Sequence, residues 1–507
     1  MLYEGKVFMT KTLGALAALV DGAEIIGDKD LQIKDIEHDS RKITEGALFV
    51  CMEGVHVDGH KFIPQAREKG AVAIITEREM EAPDGLAVLR VPDLKQALHA
   101  IVPYFHDYPA RSMRVVGITG TNGKTSISYM LRAMLRRMGC RVGLIGTIQI
   151  MIEDQVLPIH NTTPDVVDLQ RTLAMMRDAN MDYVVMEVSS HALDQNRVAG
   201  IEFDTAVFTN LTQDHLDYHK TLENYRKAKT ILFDLVSRPG VKNGKTAVVN
   251  IDDAAGQDML SHADCRHITY AINQEAVLKA ENIQVLAGGA EFEVKVGEAR
   301  LPLKLQITGI FNVYNVMAAV GTAMAEGVPA PVIKACMEEF ASVPGRFELV
   351  RGGQDFAVIV DYAHTPDGLE NILHTARQIA KKRIITVFGC GGDRDNTKRP
   401  IMGRIAAELS DYVVATSDNP RSEDPQRILD MVEAGVEEKI GAKPHEAIID
   451  RREAIFRAVE LAETDDIVII AGKGHEDYQI LKDKTIHFDD KEVALEAIRA
   501  AQEKKGE

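Results

Sequence analysis

Residues 117–126 read Gly117-Ile118-Thr119-Gly120-Thr121-Asn122-Gly123-Lys124-Thr125-Ser126, directly after the β-rich run Met113-Arg114-Val115-Val116. This order predicts a strand, a glycine loop and a helix beginning near Lys124. Such an arrangement builds an anion site: glycines let backbone N–H groups converge on phosphate oxygens, and the helix N-terminus adds partial positive charge. Lys124 is long enough to reach terminal phosphates, and the Thr125 hydroxyl is a suitable ligand for Mg2+. One position departs from the general phosphate-loop pattern, which places another glycine where Ile118 stands. The loop is therefore either a degenerate phosphate loop or one with its own signature.

A chain of 507 residues is too long for one core and suggests about three domains. Hydrophobic residues make up 45% and charged residues 27%, ordinary for a soluble globular protein. The net charge of −17 argues against a nucleic-acid or anionic-membrane surface, because phosphate backbones demand clustered Lys and Arg. Cys51, Cys140, Cys265, Cys336 and Cys390 have no metal-like spacing and are expected to stay reduced. The stretch Met1 to Lys11 lacks the apolar segment of a signal peptide, and no run approaches the length of a membrane span. A cytoplasmic location is expected.

Residues 1–110 read as a small α/β unit with short strands at 47–50 and 71–75, and His106 to Arg111 as a linker. From 111 to 344 strands and helices alternate, which implies βαβ units and a mostly parallel sheet, with a small antiparallel excursion at 280–307. Val343-Pro344-Gly345-Arg346 carries turn residues after a helical stretch at 330–341 and marks the next boundary. From 345 to 507 the rhythm restarts, with strands expected at 357–361, 384–388, 412–416 and 466–471. Each is followed by polar or glycine-rich sequence, and ligands of open α/β sheets sit at such strand ends. The fold class is α/β: a small amino-terminal α/β domain, a central phosphate-loop domain with a parallel sheet, and a Rossmann-like carboxyl-terminal domain.

Several constellations carry chemistry. Glu187 ends the apolar strand 182–186, where an acid near a phosphate loop is placed to hold Mg2+; the alternative is a helix cap. Thr209 to His219 packs two Asp and two His into a strand-to-helix loop, either a capped helix start or, since Mg2+ prefers oxygen, part of a second metal position. Asn161-Thr162-Thr163-Pro164-Asp165 reads as a capping segment ahead of a Pro-initiated helix. Lys229, alone on a helix, reads as solvated surface. Asp418-Asn419-Pro420-Arg421 puts a guanidinium at a loop tip. With Arg394 and Glu476 in sister loops it suits a zwitterionic amino acid, Arg gripping carboxylate and Glu ammonium; the alternative is a surface salt-bridge network.

Together, Gly120-Thr121-Asn122-Gly123-Lys124-Thr125, Glu187-Val188-Ser189-Ser190-His191, Asp214-His215-Leu216-Asp217, Asn312 in Gly309-Ile310-Phe311-Asn312, Pro344-Gly345-Arg346 and Asp361-Tyr362-Ala363-His364 resemble the Mur ligases of peptidoglycan synthesis. The match spans almost the whole chain, and that family's glycine loop also lacks the upstream glycine. Asp39-Ser40-Arg41 and the 418–421 loop are most similar to the members that add meso-2,6-diaminopimelate.

The resemblance implies an ATP- and Mg2+-dependent ligase. It would join meso-2,6-diaminopimelate to the D-glutamyl γ-carboxylate of UDP-N-acetylmuramoyl-L-alanyl-D-glutamate through an acyl phosphate. It implies an ATP site at Gly120, Thr121, Asn122, Gly123, Lys124, Thr125, Ser126, Asn312, Arg346 and Asp361. Metal ligands would come from Thr125, Glu187, His215 and Lys229, the last as its N6-carboxylate, and catalysis would rest on Lys124, Glu187, His215 and Lys229. Ser40, His56, Val57, Asp58, Thr162, Thr163, Ser189, Gln195 and Arg197 would hold the UDP-muramoyl dipeptide. Arg394, Asp418, Asn419, Pro420, Arg421, Gly472 and Glu476 would hold diaminopimelate. Small-molecule partners and a monomer are expected. A lysine-adding relative, a folylpolyglutamate synthase and a non-catalytic nucleotide switch are the rivals. Arg421 disfavours the first, the amino-terminal uridine segment the second, and the amino-acid loops the third.

Overall fold

The structure is a computed structural model that describes residues 10–53, 57–159, 161–212, 214–286 and 288–506. Its three larger sheets follow one another along the chain. The first runs in the order Glu24–Ile26, Ala87–Arg90, Ala71–Thr76, Ala47–Val50, Asp35–Glu37, parallel except for its first pair. The helix Leu94–Phe105 packs on it, capped by Asp93 accepting from Gln96 N–H. Val166, Val167 and Ala199 of the next unit share that apolar cluster, which joins the two units.

The central sheet has eleven strands. Its parallel heart is Val142–Ile145, Tyr183–Glu187, Arg114–Thr119, Thr205–Phe208, Thr246–Asn250 and Arg266–Ala271. The middles of these runs are apolar and mostly buried because helices cover both faces. Val116, Ile118 and Val185 point to the side packed by the helices Lys124–Arg137 and Ile310–Ala325. Val115, Val184 and Met186 point to the other, packed by Val166–Asp178 and Leu222–Ser237. The alternating stretch 280–307 forms the antiparallel strands Leu278–Leu286, Gly289–Val296 and Ala299–Leu305 at one edge.

The last sheet runs Glu348–Leu349, Ala357–Asp361, Ile467–Ala471, Ile384–Cys390, Tyr412–Ser417, His445–Ile448, parallel after its first pair. Among the described residues no helix is long and apolar enough to cross a membrane.

Two sequence expectations shift. Pro164 does not start the helix. Asp165 caps it, accepting from Val167 and Asp168 N–H, and helical dihedrals begin at Val166. A short carboxylate there satisfies two of the orphaned first-turn donors, which a proline cannot. The helix expected over 330–341 ends at Glu339, where Phe340 turns extended.

The carboxyl-terminal loops rest on a buried ion pair. Arg451 and Asp490, both 0% exposed, each begin a helix and meet in a fork with both bonds at 2.7 Å. Arg451 also donates to the carbonyls of Ala471 and Ser417, the last residues of two strands. Asp490→Ala strands that guanidinium without a counter-ion, and a destabilisation of about 3–5 kcal/mol is expected. Urea unfolding followed by circular dichroism checks it, and an unmoved midpoint would show that the pair is dispensable.

Candidate active site

Three adjacent parallel strands end together and build the phosphate loop. Glu187 lies in register with Ile118, and Phe208 with Thr119, so the loop 120–123 leaves the sheet between two neighbouring strand ends. Gly120 has φ 146°, and a Cβ there would fall 1.8 Å from Thr209 Oγ1. Gly123 has φ 89°, and its Cβ would fall 2.2 Å from Asn315 Oδ1. Only glycine suits both positions. The loop is stitched to the next strand end: Thr121 N–H donates to Asn210 O (2.9 Å), Asn122 N–H to Asn210 Oδ1 (2.9 Å) and Thr209 Oγ1 to Asn122 O (2.6 Å). Thr125 and Ser126 open the helix Lys124–Arg137, both buried.

Lys124 folds back over the loop, donating to Gly120 O (2.9 Å) and Thr121 O (2.8 Å). Burial holds its pKa below the usual lysine value, opposed by Glu187 and Asp214. Glu187 is 0% exposed, and its carboxylate accepts from Thr147 N–H (3.0 Å) and Thr147 Oγ1 (2.9 Å). No lysine, arginine or histidine pairs with it among the described residues. A desolvated carboxylate without a counter-charge is costly.

Lys229 is not surface. It is 1% exposed in the helix Leu222–Ser237, with its ammonium 4.2 Å from the centre of the Tyr225 ring. The Tyr225 hydroxyl in turn lies 3.2 Å from Thr121 Oγ1. Burial first, then the charge of Lys124, pushes the Lys229 pKa well below the usual value. His215 follows the strand end Thr205–Phe208 with φ 54°, its imidazole 3.5 Å from Asp214 and edge-on to His191 at 4.8 Å.

The dipeptide candidates of the central unit adjoin Glu187. Thr162 Oγ1 lies 3.1 Å from Thr147 Oγ1. Thr163 Oγ1 donates to Glu187 O (2.9 Å) and accepts from Ser189 N–H (3.1 Å). Arg197 donates to Thr163 O (3.0 Å) and to Gln195 Oε1 (2.9 Å). Ser189 also caps the short helix Ser190–Asp194. The amino-terminal candidates bond within their own unit: Ser40 Oγ donates to Gln65, while Asp58 pairs with Arg78 and His60. Those partners hold Asp58 down at about 2, the His60 bonds chiefly. Val57 is exposed, and His56 lies outside the described residues.

From the carboxyl-terminal sheet, Asp361 accepts from Phe347 N–H (2.7 Å), and burial raises its pKa against the pull of Arg346. Arg346 stacks over Tyr362 at 5.0 Å, and its buried Nε has no hydrogen-bond partner among the described residues. Tyr362 also faces His475, whose pKa burial lowers to about 4.

The four loops at the strand ends converge. Glu476 accepts from Asn419 Nδ2 (2.8 Å) and Lys473 Nζ (3.1 Å), while Asn419 Oδ1 accepts from Ile480 N–H. Arg421, with φ 53°, donates to Gly392 O (2.9 Å), and Arg394 to Asp393 O (3.0 Å). A Cβ on Gly472 would come 2.8 Å from Asp418 Oδ2, and one on Gly392 1.9 Å from Pro420 O.

Sequence reading missed Asn315, Thr147, Tyr225 and Lys473. Asn315 had a signal: it stands one helical turn after Asn312 and donates to its Oδ1 (3.2 Å), while Asn312 donates to Thr308 O. Lys473 sits inside a loop already singled out, but nothing local marks it as buried.

Comparison with known proteins agrees along the chain. Residues 32–108 match the family model described as Mur ligase family, catalytic domain; 118–323 that of the Mur ligase middle domain; and 345–474 that of the Mur ligase, glutamate ligase domain. A Clostridium botulinum protein named UDP-N-acetylmuramoyl-L-alanyl-D-glutamate–2,6-diaminopimelate ligase is 46% identical over 94% of this chain and 97% of its own. A Bacillus licheniformis protein of the same name is 47% identical over 93% and 96%. A solved structure of a ligase so named is 32% identical, with TM-score 0.68 over 97% of this chain and 100% of its own. The chain belongs to the Mur ligase family.

Proposed function

We propose that the protein is an ATP-dependent amide ligase. It joins meso-2,6-diaminopimelate to the D-glutamyl γ-carboxylate of UDP-N-acetylmuramoyl-L-alanyl-D-glutamate, in the cytoplasm. The observation that carries the reading is the continuity of the site. The phosphate loop leaves the strand that lies in register with the buried Glu187, the Thr163–Arg197 network is hydrogen-bonded to Glu187, and a loop cluster bearing Arg394, Arg421 and Glu476 stands at the strand ends of the next unit. We take residues 1–110, 111–344 and 345–507 as its three domains, holding the UDP moiety, ATP and the incoming amino acid.

Mg2+ fits the central cluster. Glu187 is a buried carboxylate with no salt bridge among the described residues, and a hard oxygen donor with a hydroxyl neighbour suits that ion. Thr125, Glu187 and His215 would hold it, with Lys229 as its carbamate; bound there, it supplies charge neutralisation. Burial lowers the Lys229 pKa and so favours its neutral amine, the form that adds CO2; addition with loss of a proton would place a carbamate anion near Lys124.

The reaction brings two anions together, an ATP γ-phosphoryl and a carboxylate. Lys124 offsets charge along the transfer line, and the Gly120–Gly123 amides receive the phosphates. Thr162, Thr163 and Arg197 orient the acceptor. Arg346, with its unpartnered Nε, reaches from the carboxyl-terminal domain toward the nucleotide, and Asn312 and Asp361 flank it. Glu476 receives the ammonium of the amino acid, and Arg421 its distal carboxylate. Closure of the domains keeps water from the acyl phosphate.

Phosphate release should require ATP, the UDP-muramoyl dipeptide and diaminopimelate together. Lys124→Met should lower it on the order of a hundredfold or more. Release that is indifferent to the amino acid would refute the ligase. Arg421→Ala should lose about 2–5 kcal/mol of preference for diaminopimelate over lysine, read from the ratio of kcat/KM values, because the wild-type guanidinium is left unpaired opposite lysine. Carbon-13 bicarbonate should give a carbamate resonance that Lys229→Met lacks together with activity. An active Lys229→Met enzyme would remove the modification from the mechanism.

A further inference from the structure

The guanidinium of Arg421 is aimed by a lattice of bonds between two loops. Its Nη1 donates to Gly392 O (2.9 Å) and Asn419 O (3.4 Å), and its backbone N–H to Ile480 O (3.1 Å). The backbone there is left-handed, φ 53°, as it is at Asp393, φ 55°, on the facing loop. Non-glycine residues hold such dihedrals only where surrounding bonds impose them.

Those bonds trace to one ion pair between a buried arginine and a partly exposed glutamate. Arg399, in the helix Lys398–Leu409, is 1% exposed and grips Glu423 with both nitrogens, at 2.9 and 2.8 Å. Its Nη2 also donates to Gly391 O (3.2 Å). Glu423 accepts from Asp393 N–H (2.6 Å), and Asp393 accepts from Ser422 N–H (3.1 Å) and Ser422 Oγ (2.7 Å). The strap thus runs from Arg399 through Glu423 and Asp393 to Ser422, the residue beside Arg421. The loops are also too close for side chains between them: a Cβ on Gly392 would lie 1.9 Å from the backbone oxygen of Pro420.

We infer that Arg399 and Glu423 are positioning residues that fix the Arg421 guanidinium, and through it the selectivity for an amino acid with a distal carboxylate. This rests on the assignment of Arg421 to that carboxylate. Lysine has no group for Arg421 to read, so its use should not depend on where the guanidinium points. A bidentate charged fork is the side-chain pair best suited to fix a loop, because it sets orientation as well as distance.

The test uses full-length enzyme at saturating ATP and UDP-muramoyl dipeptide, with phosphate release measured against diaminopimelate and against lysine. For Arg399→Met and Glu423→Gln the KM for diaminopimelate should rise on the order of tenfold to a hundredfold, as for a reacting group displaced by about an ångström. The kcat/KM for lysine and the KM for ATP should hold, so the preference shrinks by the same factor. Arg399→Lys, which keeps charge without the fork, should recover only part of it. Should Arg399→Met fail to fold by circular dichroism, Ser422→Ala, at the far end of the strap, gives the same readout with a smaller expected shift. Equal losses for both amino acids, or an unchanged KM for diaminopimelate, would overturn the positioning role. A wild-type enzyme that does not distinguish the two amino acids would overturn the assignment of Arg421 itself.

Discussion

The buried carboxylate of Glu187 is the constraint around which the central site is arranged. It sits at the end of a parallel strand, in register with the strand that enters the phosphate loop. Among the described residues its carboxylate is satisfied by Thr147. Gly146 must lack a side chain, since a Cβ would lie 2.4 Å from the carboxylate. The Glu187 carbonyl takes the Thr163 hydroxyl, which in turn receives the Ser189 amide. One strand end therefore fixes the distance between the phosphate loop and the acceptor-side network. Moving it moves both together, as a reaction between a phosphoryl group and a carboxylate requires.

The flanking units attach to this centre by different chemistry. The amino-terminal sheet is clamped by Arg171 of the central unit, which donates to Ile36 O (2.6 Å) and pairs with Glu37 (3.0 Å). Glu37 is 2% exposed and also accepts the amides of His38 and Asp39, just ahead of Ser40. An apolar cluster shared across the boundary reinforces the clamp. At the carboxyl-terminal side the strongest candidate for reaching the nucleotide is Arg346, stacked on Tyr362 and lacking a carboxylate partner among the described residues. The second junction is also packed within the protein, by Phe311 edge-on to Phe347 and by Val285 against the carboxyl-terminal core, while Arg346 Nε keeps no hydrogen-bond partner among the described residues.

Backbone-driven features were legible in the sequence. Gly120 and Gly123 announce a loop because only glycine tolerates their dihedrals and close contacts, and the four strand-end loops of the last sheet are marked by glycine and polar runs. Glu187 was legible because it ends an apolar run. Lys229 was not: a helical lysine carries no local mark of burial, and only the packing of Leu222–Ser237 against the sheet makes it a buried amine over Tyr225. Thr147, Tyr225 and the Arg399–Glu423 pair were hidden for a related reason. Each works through a partner distant in sequence, and residue type alone does not name that partner. Asp165 shows the local limit, where proline and aspartate both signal a helix start and competition for the first-turn amides decides between them.

The two ends of the amino-acid site differ in how their charges are prepared. Glu476 already shares Lys473, a lysine that is 0% exposed, and Asn419 bonds to both groups. That end is an internally balanced pair, so an arriving ammonium gains from geometry more than from raw attraction. Arg421 instead donates to backbone carbonyls through one nitrogen and forms no salt bridge among the described residues, although the Asp393 carboxyl on the facing loop lies within reach of its field. On the proposed assignment, a ligand with a carboxylate at the far end would pair with a fixed guanidinium, and a ligand without one would leave that group without its partner. Discrimination then comes from the penalty on the wrong amino acid as much as from attraction to the right one. The penalty persists only while the guanidinium cannot swing away to solvent. This is why a residue as remote as Arg399, which holds the loop rather than the ligand, belongs to the specificity of the site.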